Sequence, residues 1–116
     1  MRVLVVDDEI DTAETLAEVL TTLGHDVRTA ADGTRALETA RAFSPDVVLL
    51  DLGLPGIDGY EVARRLRAER STRPLRLIAV TGYGQDVDRK NTELAGFDAH
   101  MVKPVRIAAL ERLLSS

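Results

Sequence analysis

Short apolar runs, mostly β-branched, alternate along this chain with stretches whose apolar residues fall three and four apart. The runs are Val3-Leu-Val-Val6, Val27-Arg-Thr29, Val47-Val-Leu-Leu50, Leu75-Arg-Leu-Ile-Ala-Val80 and Met101-Val102. They have the length of strands, and the stretches between them carry the period of a helix. The first helical stretch holds Ala13, Leu16, Ala17, Leu20 and Leu23 and stops at Gly24, a C-terminal cap. Within it, Asp11-Thr-Ala-Glu14 has the spacing of an N-terminal capping box. The second holds Ala36, Leu37, Ala40 and Phe43 before Pro45, and the third Tyr60, Val62, Ala63 and Leu66. A weaker fourth runs from Val87 to Ala95 before Gly96, and the last holds Ile107, Ala108, Leu110, Leu113 and Leu114. Five strands alternating strictly with five helices require a mostly parallel sheet with helices on both faces, a doubly wound α/β fold. The first, third and fourth runs are almost continuously apolar, as interior strands must be, and the more polar second belongs at an edge.

One such layered unit uses up all 116 residues, so residues 1–116 are expected to form a single domain. No apolar run is long enough to span a membrane, no leader-like segment opens the chain, and there is no cysteine. These features lead us to expect a cytoplasmic protein without disulfides or thiolate-bound metal. The net charge of −4 argues against direct contact with nucleic acid. The charge is unevenly placed. Residues 3–27 hold acids and no Lys or Arg, whereas arginines crowd positions 64, 65, 67, 70, 73 and 76. The arginine run reads as a solvated helix end whose charge complements the helix dipole.

In an open parallel sheet, ligands bind at the carboxyl ends of the strands. Here the first strand ends on Asp7-Asp8, the third on Asp51, the fourth on Thr81-Gly82 and the fifth on Lys103-Pro104. Each pair alone has an ordinary use as a cap or turn. Together they bring three carboxylates, a hydroxyl and an ammonium to one crevice. At ~5 Å and an effective dielectric of ~20, each carboxylate pair repels by roughly 3 kcal/mol. A hard divalent cation such as Mg²⁺, with Mn²⁺ as a substitute, is the natural counter-charge for an all-oxygen donor set. Three aspartates and one lysine leave a charge of −2, which such an ion cancels. A phosphoryl group on one carboxylate would then find Lys103, the Thr81 hydroxyl and backbone N–H groups around it.

Val5-Val-Asp-Asp-Glu9, the stretch Asp51-Leu-Gly-Leu-Pro-Gly-Ile-Asp-Gly59, Thr81-Gly-Tyr-Gly84 and Lys103-Pro104 resemble the receiver domain of two-component response regulators, in order and over essentially the whole chain. The resemblance implies a flavodoxin-like five-stranded sheet of order 2-1-3-4-5. It implies Asp51 as phosphoacceptor from a histidine kinase or a histidine phosphotransfer protein. It also implies Asp8 as a direct Mg²⁺ ligand, Asp7 as a ligand largely through water, and the Gly53 backbone carbonyl as a further ligand. Thr81 would bond the phosphoryl group, Lys103 would pair with it, and the Lys103–Pro104 peptide would be cis. The family's switch position, usually Tyr or Phe, is His100 here, so the switch pair is Thr81 and His100, and an ionisable ring brings sensitivity to pH. Residues 81–89 and 95–105 are most like receivers at the C-terminal end of hybrid sensor histidine kinases.

Other readings fare worse. An FMN phosphate would be repelled by Asp7-Asp8-Glu9, and Gly82-Tyr-Gly84 lacks the third glycine of a dinucleotide fingerprint. A small-molecule phosphohydrolase would need a cap for which the chain leaves little length. The remaining competitor is a degenerate receiver that serves as a phosphorylation-independent docking module, against which stand all the intact positions. With the last helix filling the chain to Ser116, phosphorylation should be read by another protein or by domains of a parent chain. The expected reader surface is formed by helix four, strand five and helix five, with self-association as one outcome. Phosphate is expected to draw Thr81 inward and open a space for His100 to fill.

Overall fold

A computed structural model of the chain describes residues 1–69, 74–82 and 89–115. The expected alternation is realised: β1 (Arg2–Val6), α1 (Ile10–Thr22), β2 (Asp26–Ala30), α2 (Gly33–Phe43), β3 (Val47–Asp51), α3 (Gly59–Glu69), β4 (Arg76–Thr81), α4 (Arg89–Ala95), β5 (Ala99–Val102) and α5 (Ile107–Ser115). All strands pair in parallel in the order β2-β1-β3-β4-β5. The polar second strand lies at an edge, and every residue of β3 is buried. Several sequence features lie outside the described residues: Tyr83 and Gly84, Arg70 and Arg73, and Val87 at the expected start of the fourth helix. Among the described residues, no helix is long and apolar enough to cross a membrane.

Strand alternation sorts the core into two layers. Leu4, Val6, Val48, Leu50, Leu77 and Ala79 point to the side covered by α2, α3 and α4. Val3, Val5, Val47, Leu49, Ile78 and Val80 point to the side covered by α1 and α5. Most central-strand residues are therefore apolar whichever way they face, which is why those strands read as unbroken runs.

Most helix ends follow local sequence. Gly24, at φ +97°, closes α1: its N–H bonds the Thr21 carbonyl, and the His25 N–H bonds that of Leu20. Asp32 caps α2 by accepting from the Arg35 N–H at 2.8 Å, and Asp58 does the same for the Glu61 N–H at 2.9 Å. The capping box expected at Asp11–Glu14 does not form. Helix α1 begins earlier, behind Glu9, and Glu9 makes no side-chain cap. Asp7 Oδ1 instead accepts from the Glu9 N–H at 2.9 Å. This side-chain turn leads the chain straight from β1 into the helix, so Asp11 already lies in the first turn.

Gly59 fixes how closely α3 approaches the end of β3. A Cβ there would lie 2.9 Å from Leu52 Cα and 3.0 Å from the Asp51 carbonyl oxygen. Backbone cannot yield as a flexible side chain can, so Gly59→Ala should destabilise the domain by about 2 kcal/mol. Urea unfolding checks this; an unchanged midpoint would show that the loop after Asp51 has room to spare.

Candidate functional site

The strands deliver their terminal residues to one edge of the sheet, as the alternation implied. Ligand oxygens of Asp7, Asp8 and Asp51 all lie within 4.8 Å of one another. Asp7 and Asp51 are only 6% and 7% exposed, whereas Asp8 faces solvent. Asp51 is the last residue of a fully buried strand, so its carboxylate leaves the core at the only open end. Its Oδ1 accepts from the Gly53 N–H at 2.8 Å, which fixes the carboxylate and begins the turn into the following loop.

Lys103 provides the counter-charge. Its Nζ donates to Asp51 Oδ2 at 3.0 Å and lies 2.9 Å from Asp7 Oδ2 and 4.0 Å from Glu9 Oε1. The Lys103–Pro104 peptide is cis, as the resemblance implied. Burial pushes the Lys103 ammonium towards neutrality, but hydrogen bonds and charge from Asp7 and Asp51 outweigh it and raise its pKa. The mutual repulsion of the acids is thus partly offset within the chain itself. Glu9 completes a fourth carboxylate near the crevice. Its place directly after Asp7-Asp8 was the available sequence signal.

Thr81, 1% exposed, ends β4, the strand beside β3. Its Oγ1 lies 3.1 Å from Nε2 of His100 on β5. The imidazole therefore already bonds the hydroxyl in the absence of a phosphoryl group. Burial, and then the positive charge of Arg89, lower the His100 pKa. His25 has no part in this group: it precedes β2 and bonds Glu111 of α5 at 2.9 Å.

The oxygen-only donor set, with two buried carboxylates and one exposed, suits a hard divalent cation that keeps some of its water. Beside the acids, a cleft of about 720 Å³ runs between α1 and the start of α5, past Leu16, Val19, Val105 and Ile107.

The arginine run departs from the expectation of a solvated helix end. Arg64 and Arg65 do pair on the surface with Glu61. Arg67 instead turns back and donates to the Gly96 carbonyl from Nε and Nη2, at 2.9 and 2.7 Å, and to Asp98 at 2.5 Å. It pins the end of α4 to α3, on the side of the sheet where His100 lies.

The chain matches the model of the response regulator receiver domain over residues 3–115. It is 40% identical over 110 residues to the transcriptional regulatory protein TcrA of Mycobacterium tuberculosis, covering 95% of this chain and 43% of that protein. To the transcriptional regulatory protein AfsQ1 of Streptomyces coelicolor it is 43% identical over 105 residues, covering 90% and 44%. The chain thus spans less than half the length of these curated relatives. Among solved structures, a CheY-like response regulator receiver domain from Methylobacillus flagellatus superposes with a TM-score of 0.88 at 34% identity, covering 99% of this chain and 96% of that one. The two relatives are named as transcriptional regulators, so the nearer likeness to hybrid-kinase receivers finds no support in them.

Proposed function

This chain belongs to the response regulator receiver domain family, and we propose that it is a working phosphoacceptor, with Asp51 taking a phosphoryl group from a phosphohistidine. The donor is a histidine kinase or a histidine phosphotransfer protein. The observation that carries this reading is the convergence of Asp7, Asp8, Asp51 and Lys103 on one crevice from the separate ends of β1, β3 and β5. An Asp51 carboxylate oxygen forms the new O–P bond as the N–P bond of the donor breaks. The carboxylate is positioned beforehand by the Gly53 N–H and the Lys103 ammonium, so little freedom is lost at the moment of transfer. Lys103 follows the charge onto the phosphoryl oxygens, and Thr81 supplies a hydroxyl to another.

Asp7, Asp8, Asp51 and the Gly53 carbonyl would hold Mg²⁺, or Mn²⁺ in its place. When bound, the ion neutralises charge that builds up on the transferring group. The acceptor is the chain itself and hydrolysis of its own acyl phosphate resets it, so this is a signalling domain with no separate substrate. The apolar cleft beside α1 gives a donor protein a place to dock next to Asp51. Leu94 of α4 and Val102 of β5 are exposed on the opposite flank. They mark that side as the surface that a reader, or a second phosphorylated copy, would meet. The reading places the domain in the cytoplasm and needs no direct contact with nucleic acid. The hybrid-kinase lineage remains a proposal that rests on residues 81–89 and 95–105 alone.

Incubation with acetyl phosphate, with and without Mg²⁺, followed by intact mass tests the reading. A Mg²⁺-dependent gain of one phosphoryl group supports it. No gain, together with undiminished binding to a partner kinase, would favour the phosphorylation-independent docking module. The metal set has its own check. Mg²⁺ at tenfold its Kd should stabilise the domain by about 1.4 kcal/mol, or roughly 6 °C in melting temperature. Asp8→Ala should remove that gain; an unchanged Mg²⁺ response in the variant would show that the ligand set is wrong.

A further inference from the structure

The Thr81 hydroxyl has one proton, and its hydrogen bond to His100 decides where that proton points. Thr81 is almost wholly buried, so water does not compete for the hydroxyl as it would at the surface. A neutral imidazole protonated on Nδ1 presents Nε2 as an acceptor, and the Thr81 proton is then spent on His100. An imidazolium can only donate. Its Nε2–H bonds Thr81 Oγ1, and the hydroxyl proton is freed for another acceptor.

We propose that His100 is a positioning residue that sets the polarity of the Thr81 hydroxyl, so that protonated His100 makes Thr81 a donor to the phosphoryl group on Asp51 and phosphorylation draws a proton from solvent onto His100. The inference rests on the phosphoacceptor reading above and adds the regulation of that site.

The surroundings of the ring support a gain of charge on phosphorylation. His100 lines a cavity of about 200 Å³ between α4 and β5, which gives solvent protons a route to it. Among the described residues, the charged groups lining that cavity are Arg89 and Glu93 on α4 and Asp98 ahead of β5. The Asp98 carboxylate is already engaged by Arg67 at 2.5 Å and by the Leu77 N–H at 2.9 Å. On the sheet side, β4 brings the uncharged Ala79 and Thr81. In the unphosphorylated domain, burial and then Arg89 lower the His100 pKa and so favour the neutral ring. A phosphoryl group beyond Thr81 adds the negative charge that reverses this balance. The effect is reciprocal: whatever raises the affinity of His100 for a proton raises, by the same factor, the affinity of the protonated protein for the phosphoryl group.

Beryllofluoride with Mg²⁺ mimics the phosphoryl group on Asp51 and does not itself titrate near neutral pH, so it isolates the protein's own proton. The experiment follows the histidine ring signals by NMR between about pH 5 and pH 8, with and without this probe. The expected result is a rise of the His100 midpoint by about one pH unit, and binding about tenfold tighter on the acid side. The His25 signals should not respond, because that ring lies at the opposite end of the sheet. His100→Gln, whose amide can donate or accept but does not titrate, should lose the pH dependence. His100→Phe, which leaves no acceptor to hold the Thr81 proton, should lose it too and bind at the tighter, low-pH affinity. If beryllofluoride binds through Asp51 and the His100 midpoint stays put, or if His100→Gln keeps the wild-type pH dependence, the inference is wrong while the phosphoacceptor reading stands. If the probe does not bind the wild-type protein at all, both are overturned.

Discussion

Asp51→Asn should abolish phosphorylation of the domain altogether, with any small phosphodonor and at any Mg²⁺ concentration. Asparagine has no carboxylate to form an acyl phosphate. The variant should nevertheless fold, because an Asn carbonyl can replace Oδ1 as acceptor for the Gly53 N–H. Its affinity for Mg²⁺ should fall, since one of three clustered carboxylates has lost its charge. Intact mass and circular dichroism on the same sample separate the two effects. A folded variant that still gains a phosphoryl group would move the acceptor elsewhere.

The second large effect is expected at Lys103. Lys103→Met leaves the carboxylates of Asp7 and Asp51 buried without the cation they share. Removing one partner from a buried ionic group costs about 3 kcal/mol, so the variant should melt well below wild type in Mg²⁺-free buffer. Mg²⁺ should recover much of that loss, because the more negative cluster binds the ion more tightly. Phosphorylation should still fall by about a hundredfold, the usual loss when one charge-stabilising donor is deleted. The pH dependence of the stability difference follows from the raised Lys103 pKa. The ion pairs contribute fully below the ordinary lysine value of about 10.4, and the contribution is lost as pH rises through the higher, folded-state value. The gap between wild type and Lys103→Met should hold from neutral pH to about pH 10 and close above it. Chemical denaturation across that range checks it, and a gap that closes near neutrality would contradict the ion-pair geometry.

The strands and helices were legible because burial on both faces of a parallel sheet leaves unbroken apolar runs, of which Val47–Leu50 is the clearest. The crevice was legible because every strand ends on the same side of such a sheet, so Asp7-Asp8, Asp51, Thr81 and Lys103 had to meet there. What local pattern could not show was which of its possible partners each side chain takes once the chain is folded. Asp11–Glu14 has the spacing of a capping box, yet Asp7 takes the Glu9 N–H first and starts the helix sooner. Arg67 closely follows Arg64 and Arg65, which face solvent, and its partner Gly96 is 29 residues away along the chain. The pairing becomes visible only once α3 and α4 lie side by side. His100 could be placed at the switch by resemblance, but its bond to Thr81 is a matter of rotamers, on which sequence is silent.

The central claim, that Asp51 accepts the phosphoryl group in a crevice assembled from four strand ends, is tested most directly by locating the acyl phosphate itself. The full chain is treated with acetyl phosphate and Mg²⁺, reduced with borohydride to convert an aspartyl phosphate to homoserine, and digested for peptide mass analysis. The account predicts homoserine at residue 51 alone, absent when Mg²⁺ is withheld. Homoserine at residue 7 or 8, or conversion at residue 51 that is indifferent to Mg²⁺, would contradict it.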